Sequence, residues 1–156
     1  MVESVEEGRL NMAHVYAKNR STCSKVHVGS VIETYNNGLI FGCNHGCSDC
    51  RTNGCRRIKL YGNASKEHRL PSDCDAIHSE VDAICTAAKI GVYIKGATIY
   101  VTRYPCESCA RAIVASGISH VVYGRKEDIS EYTKQIFEAG GVSVRKVDWE
   151  REDNNE

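Results

Sequence analysis

The second half of the chain alternates strand-like runs with helix-like segments, and this alternation restricts the fold more than any other feature. Apolar runs rich in β-branched residues predict strands at 97–102, 120–124 and 142–147, and helical periodicity predicts helices at 77–91, 106–117 and 129–141. Gly91 and Gly117 are expected to end the first two helices. Short links between these elements favour right-handed crossovers and a largely parallel sheet covered by helices.

The first half of the chain predicts one helix and two further strands. The helix is expected over residues 2–19, with its apolar face formed by Val5, Met12, Val15 and Tyr16. The strands are expected at 26–35 and 38–44, and Asn36-Asn37-Gly38 between them is typical of a hairpin turn. An α/β fold with five strands follows, in which the first two are an antiparallel hairpin. Residues 1–156 are expected to form one domain, with a frayed tail after residue 147.

A cysteine-rich insertion at about 45–76 interrupts this pattern, since it holds four cysteines and two histidines and shows no periodicity. A structureless loop of that length is unusual unless something pins it. The chain has no signal-peptide pattern and no apolar stretch that could cross a membrane, so the cytoplasm is the expected location. Nine cysteines in such a chain are expected to be metal ligands, catalytic groups or buried residues rather than disulfides. Cys85, on a predicted helix, is expected in the core.

The charge balance argues against a nucleic-acid partner. The chain has 20 basic and 20 acidic side chains, and its formal net charge is zero. Binding to a polynucleotide backbone depends on a positive surface, which this balance does not supply over long range. One basic stretch at 55–59, CRRIK, is open to two interpretations: a solvated loop, or a contact to a phosphate or effector from a neighbouring subunit.

Two short motifs carry the chemistry. His78-Ser79-Glu80 opens one predicted helix, and the sequence PCESC at 105–109 opens the next. A helix N-terminus presents free N–H groups and a positive dipole end, which favours thiolates. Cys106 and Cys109 are three residues apart, so their side chains lie on the same side of the first turn and can reach one ion.

A histidine and two cysteines give three protein ligands, which is typical of a catalytic zinc with one open position. Cys-x-x-Cys alone would also fit a redox pair or a structural clip. The joint pattern His-x-Glu followed by Pro-Cys-x-x-Cys is the signature of zinc nucleobase deaminases. Glu80 is then expected to act as the general acid and base, a role that a purely structural zinc site does not need.

At these motifs the chain resembles the deoxycytidylate (dCMP) deaminases. The resemblance rests on RSTCSKVHVGSVI, IHSEVDAI and GATIYVTRYPCESCARAIVASGISHVVYG, and it covers roughly residues 8–147. It implies a three-layer α/β/α cytidine deaminase-like fold around a central five-stranded mixed sheet. It also implies hydrolysis of dCMP to dUMP and ammonia, which supplies dUMP for thymidylate synthesis, with zinc-activated hydroxide attacking ring C4 and Glu80 moving the protons.

The resemblance further implies substrate contacts and partners. Asn44 is expected at the deoxyribose hydroxyl, and Ala76, Ile77 and Pro105 at the base edge. The resemblance implies a homohexamer that responds to dCTP and dTTP as effectors. A viral member of the family would be expected to act in the host cytoplasm. Cys43 replaces the family's tyrosine and the loop after Asn44 is short, so dCTP or a modified dCMP are alternative substrates. A polynucleotide cytidine deaminase is the more distant alternative.

A second, structural zinc would pin the cysteine-rich insertion. Cys47 and Cys50 form a second Cys-x-x-Cys, and His45, His68, Cys55 and Cys74 bring the candidate ligands to more than four. The chain also resembles some viral dCMP deaminases that carry a second zinc. This resemblance implies that the zinc ligands are Cys23, Cys47, His68 and Cys74, with Cys50 and Cys55 as substitutes. The alternative is a group of reduced thiols without metal.

Overall fold

The five predicted strands pair into one mixed sheet in the computed structural model, which describes residues 3–62, 73–125 and 129–149. The strands are β1 (Gly29–Glu33), β2 (Leu39–Cys43), β3 (Thr98–Arg103), β4 (His120–Arg125) and β5 (Ser143–Lys146). Their order across the sheet is β2-β1-β3-β4-β5. β1 pairs antiparallel with β2 and with β3, whereas β3, β4 and β5 are parallel. The predicted hairpin and mixed sheet are therefore confirmed.

Helices cover both faces of this sheet. They are α1 (Val5–Arg20), α2 (Cys50–Asn53), α3 (Arg56–Tyr61), α4 (Ser79–Ile90), α5 (Glu107–Ser116) and α6 (Glu131–Ala139). On one face Leu10 of α1 packs with Tyr100, Val122 and Trp149. On the other face apolar side chains from β1, β3 and β4 pack with α4, α5 and α6. The result is the expected three-layer α/β/α arrangement, while a single domain over residues 1–156 stays a prediction.

The predicted apolar face of α1 is wrong. The buried residues are Leu10, Ala13, His14 and Ala17, whereas Val5, Met12 and Val15 are exposed. The cause is the close approach of the helix to the sheet, since a Cβ atom at Gly29 would collide with the Ala13 carbonyl. Only small side chains fit at such a contact, so α1 turns its alanines inward.

Close packing of a helix against the sheet also explains why the prediction that Cys85 lies in the core is wrong. Cys85 is exposed, and α4 instead buries Glu80, Ala83 and Ala87 toward the sheet. Gly42 of β2 lies directly beneath the first turns of α4, where a Cβ atom would collide with the Ser79 carbonyl oxygen and the Ala83 backbone nitrogen. The close packing of β2 against α4 fixes the height of the helix that begins beside His78.

Two further segments differ from the predictions. The insertion contains the short helices α2 and α3, which are too short to produce a periodic apolar pattern. The tail expected to fray includes Trp149, which is buried and donates a hydrogen bond from Nε1 to Asn11 Oδ1 at 2.9 Å. Within the described residues, no helix has the length and apolar character needed to cross a membrane.

Candidate metal centre and active site

Two helix N-termini bring the predicted metal ligands together. His78 is the N-cap residue of α4, and Cys106 is the N-cap residue of α5, which directly follows β3 and the buried Pro105. Neither N-cap side chain makes a capping hydrogen bond to its helix. Cys109 lies one turn further along α5 and is 1% exposed.

The three ligand atoms have the spacing of a zinc site. Nδ1 of His78 lies 3.4 Å from the sulfur of Cys106 and 3.4 Å from the sulfur of Cys109. All three atoms lie within 4.8 Å of one another. Tetrahedral zinc with ordinary Zn–N and Zn–S bonds places nitrogen and sulfur about 3.5 Å apart. The donor set and its geometry therefore fit zinc, with one coordination position left open.

The electrostatics of the triad favour a thiolate. Hydrogen bonds from Cys109 and His78 outweigh burial and lower the pKa of Cys106 to about 3. The pKa of His78 is raised, chiefly by its hydrogen bond with Cys106, whereas burial opposes that rise. The pKa of Cys109 is raised because it donates to Cys106 and because it is buried. A metal ion would take the place of the proton that these groups share.

Glu80 lies beside the triad on the inner face of α4. It is 3% exposed, and the Ser79 hydroxyl lies 3.1 Å from its Oε2. Burial raises the pKa of Glu80, which makes its carboxylate a better proton acceptor than an exposed glutamate. The Ser30 hydroxyl of β1 donates to the Ser79 carbonyl at 2.7 Å and so ties this turn of the helix to the sheet.

Two adjoining cavities reach the triad. The smaller, of about 210 Å³, is bordered by Glu80, His78 and Cys106. The larger, of about 640 Å³, is bordered by all three ligands and extends toward the cysteine-rich insertion. Asn44 and Arg103 border both cavities, so a single ligand could occupy the two together. The larger volume is within the range of small-molecule sites.

Asn44 is already held by the protein. Its Oδ1 accepts from the Val28 backbone N–H at 2.9 Å and its Nδ2 donates to the Val26 carbonyl at 2.8 Å. The Ser21 hydroxyl lies 2.8 Å from the same Oδ1. Asn44 has one further amide hydrogen that none of these contacts uses.

The predicted base-edge residues lie around the same cavities. Ala76 and Ile77 border the larger one, and Ile77 forms a two-bond backbone bridge with His45. Pro105 is buried and borders a neighbouring cavity with Cys106. His45 is directed to Asp82, with Nε2 2.9 Å from Oδ1, and so has a partner other than the cysteines.

The structure places only some of the second-zinc candidates around the larger cavity. Cys23, Cys50, Cys55 and Cys74 all border the larger cavity. Cys47 is exposed and is not among the described residues that border it. His68 lies outside the described residues. The described residues contain one compact group of three possible metal ligands, which consists of His78, Cys106 and Cys109.

Sequence reasoning missed the contribution of Arg103 to the site. Arg103 ends β3 and borders both cavities. Its position two residues before Pro105, at the end of a strand that leads into the metal motif, is the signal that could have identified it. Arg57 was noted only as part of the basic stretch 55–59, yet it also borders the larger cavity.

Comparisons with known proteins agree with this geometry. Residues 4–125 match the family described as the cytidine and deoxycytidylate deaminase zinc-binding region. ComE operon protein 2 of Bacillus subtilis is 34% identical over 132 residues, which are 83% of this chain and 64% of that protein. The deoxycytidylate deaminase of Enterobacteria phage T4 is 36% identical over 99 residues, which are 55% of this chain and 51% of that enzyme. This chain thus spans between half and two thirds of the length of these two relatives.

A solved structure shares the fold. The dCMP deaminase of cyanophage S-TIM5, in complex with dCMP and dUMP, superposes with a TM-score of 0.71 at 23% identity. The match covers 94% of this chain and 99% of the cyanophage chain. At that identity the likeness establishes the cytidine deaminase-like fold and no more.

Proposed function

The chain belongs to the cytidine and deoxycytidylate deaminase family, and from this premise we propose that it hydrolyses dCMP to dUMP and ammonia. The observation that carries the proposal is a complete zinc triad beside a buried carboxylate, Glu80, which shares one cavity with His78 and Cys106. The named relatives support dCMP as the substrate, because the phage T4 relative is a deoxycytidylate deaminase and the cyanophage structure contains dCMP and dUMP.

The residues of the site suit this hydrolysis. Zinc, when bound by His78, Cys106 and Cys109, lowers the pKa of a coordinated water toward neutrality. Glu80 accepts a proton from the attacking water and delivers it to ring N3. Glu80 then passes a second proton to the C4 amine, which leaves as ammonia while the water oxygen remains on C4 of dUMP. The burial that raises the pKa of Glu80 suits a group that must both accept and return protons.

The remaining substrate contacts are assigned by their position around the cavities. Asn44 supplies its unused amide hydrogen to the sugar hydroxyl, and the segment of Ala76 and Ile77 faces the base together with Pro105. Their placement around the cavities that contain the triad supports this assignment. dCTP or a modified dCMP would use the same base contacts, so they remain the alternative substrates.

A polynucleotide substrate is less well supported. The formal net charge is zero, and a polynucleotide deaminase needs a basic channel and aromatic stacking platforms. The basic residues that border the larger cavity are few and local, which suits a single nucleotide.

The thiols of the cysteine-rich insertion form a second, structural metal site in this proposal. Its candidate ligands are Cys23, Cys50, Cys55 and Cys74, which border one cavity. Their sulfurs are less compactly grouped than the ligand atoms of His78, Cys106 and Cys109, so an ion would have to draw them together. Four cysteines are a complete ligand set for structural zinc. The set differs from the one implied by resemblance because Cys47 does not border this cavity and His68 lies outside the described residues.

We also propose a homo-oligomeric state, with the hexamer favoured, a response to dCTP and dTTP, and a cytoplasmic location. Exposed apolar side chains support self-association, notably Tyr93 and Ile90 near the end of α4 and Tyr35 at the hairpin turn. Light scattering with and without each nucleotide would measure both the assembly and its response.

One assay tests the proposed function. Zinc-loaded protein is incubated with dCMP, dCTP, deoxycytidine or single-stranded DNA, and the loss of cytosine absorbance is followed. We expect dCMP to be deaminated with the highest kcat/KM. No deamination of any cytosine substrate would refute the proposal, and a preference for DNA would replace it with the polynucleotide alternative.

A further inference from the structure

The larger cavity is bordered by more basic side chains than carboxylates. Lys25, Arg57 and Arg103 border it, and Asp75 is the carboxylate among the described residues that border it. Asp75 is already engaged, since its Oδ2 accepts from the Ser48 backbone N–H at 3.0 Å. In a chain whose formal net charge is zero, three cations around one cavity form a local attraction for an anion.

Arg57 stands out among these cations. Its Nε is buried, and within the part of the chain that the structure describes it has no hydrogen-bond partner. Other arginines are paired, as Arg9 is with Glu33 and Arg51 is with Asp49. A buried donor without a partner costs free energy, so a group that accepts from it is expected when the site is filled.

The cysteine-rich insertion places Arg57 at the border of the larger cavity. Arg57 lies in the first turn of α3, two residues after Cys55, and Arg56 beside it is exposed. Arg57 borders the same cavity as His78, Cys106 and Cys109, although it belongs to a segment outside their two motifs.

We propose that Arg57, assisted by Lys25, binds the 5′-phosphate of the nucleotide and makes the enzyme select nucleotides over nucleosides. The inference rests on the proposed function and deepens it by naming the specificity-determining residue. A guanidinium matches phosphate oxygens through parallel N–H donors, and Lys25 adds a point charge from the segment before β1.

The selectivity follows from the unpaired donor. A phosphate satisfies the buried Nε of Arg57, whereas a nucleoside leaves it without a partner in a filled cavity. Sites that hold such donors discriminate strongly against ligands that lack the accepting group. The proton transfers are assigned to Glu80, which borders the adjoining cavity and not the larger one that Arg57 borders.

Two measurements on zinc-loaded full-length protein test the proposal. The first is the ratio of kcat/KM for dCMP to kcat/KM for deoxycytidine. The second is the affinity for dUMP and for inorganic phosphate by calorimetry. We expect Arg57→Gln to lower both the ratio and the dUMP affinity by about ten- to a hundredfold, the loss of one charge-assisted contact, and Arg57→Lys to recover part of each. Arg56→Gln is the matched control, because it removes the same charge from the same helix at an exposed position.

The outcomes separate this inference from the proposed function. Wild-type affinity and selectivity in Arg57→Gln would overturn the inference while leaving deamination intact. Equal losses in Arg56→Gln and Arg57→Gln would also overturn it, because the effect would then be one of general charge. If the wild type deaminates no cytosine substrate, the proposed function fails, yet the dUMP and phosphate titrations still decide whether Arg57 binds the anion. Melting temperatures of each variant identify any loss that is due to unfolding.

Discussion

The hydroxyl of Ser21 lies 2.7 Å from the carbonyl oxygen of Asn44 and 2.8 Å from its side-chain oxygen. The same asparagine side chain accepts from the Val28 backbone and donates to the Val26 carbonyl. Asn44 therefore closes the loop between α1 and β1 at the wall of the cavity that His78 and Glu80 border. A residue expected from the sequence to contact substrate also holds together the segment that contains Lys25.

We predict that Asn44→Ala will destabilise the protein as well as weaken substrate binding. It leaves the Val28 N–H and the Val26 carbonyl without their partners, which costs about 2–3 kcal/mol in the free energy of unfolding. Urea denaturation measures this loss, and the KM for dCMP should rise in parallel. Ser21→Ala, which keeps both of those backbone contacts, should lose less. Wild-type stability in Asn44→Ala would contradict the assigned role in closing the loop.

We predict that Glu80→Gln will keep zinc and lose catalysis. The amide has nearly the same shape but cannot accept a proton from water, so kcat should fall by at least about a hundredfold. Zinc content, measured by atomic emission, should equal that of the wild type. His78→Ala is the comparison, because it should lose both zinc and activity. A Glu80→Gln variant that turns over at the wild-type rate would exclude Glu80 as the proton carrier.

The parts of the fold that depend on local sequence patterns could be predicted from the sequence. The hairpin was recognisable because its turn needs a residue such as Asn37, which has a φ of 62°. The buried face of α1 could not be predicted, because this helix has one face of large apolar residues and another face that contains alanines. Gly29 on a distant strand decides between them. Trp149 was missed because a single aromatic residue in an acidic tail carries no periodicity.

The residues of the site also fall into two groups, those predicted from local motifs and those located only by the structure. His78, Glu80, Cys106 and Cys109 belong to two short motifs at helix starts, so their chemistry could be predicted without coordinates. The grouping of Cys23 with three insertion cysteines and the position of Arg57 depend on the path of a segment without periodicity. Only the three-dimensional structure places Arg57 beside the cavity that contains the triad.

We predict an acid-sensitive contribution to stability from the ion pair between α1 and β1. Arg9 donates to both oxygens of Glu33, at 3.1 and 2.7 Å, and this contact lowers the pKa of Glu33 from 4.5. Because the folded pKa lies below the unfolded one, the contribution is full above pH 4.5 and is lost as the pH falls through the folded pKa. Glu33→Gln should cost about 1–3 kcal/mol at pH 7 and much less at pH 3. Denaturation at the two pH values measures the difference.

The control for this prediction is an exposed ion pair on α6. Lys134 donates to Glu131 at 2.8 Å, but both side chains are largely in solvent. Glu131→Gln should change stability little at either pH, since solvent screens such a pair. An equal effect of the two substitutions would show that the contact between Arg9 and Glu33 has no special contribution.

We predict two zinc ions per chain, one of them dependent on the insertion cysteines. Cys50→Ser should lower the zinc content by about one ion while leaving zinc at the catalytic triad, because Cys50 borders the larger cavity with Cys23, Cys55 and Cys74. Cys85→Ser and Cys47→Ser are matched controls at exposed cysteines and should keep both ions. A wild-type content of one zinc per chain would exclude the second site.

We predict that Gly42→Ala will affect catalysis through the position of α4. The added methyl group would collide with the Ser79 carbonyl oxygen and the Ala83 backbone nitrogen, which belong to the first turns of the helix. Backbone atoms cannot move aside as a flexible side chain can, so α4 must lift from the sheet and move Glu80 relative to Cys106 and Cys109. Overpacking of this kind costs about 1–3 kcal/mol, and kcat should fall more than KM rises, since the catalytic carboxylate is displaced. Gly8→Ala on α1, where a methyl group meets nothing within 4 Å, is the control and should keep stability and activity. A Gly42→Ala variant with wild-type kcat would mean that the contact between β2 and α4 does not set the position of the carboxylate.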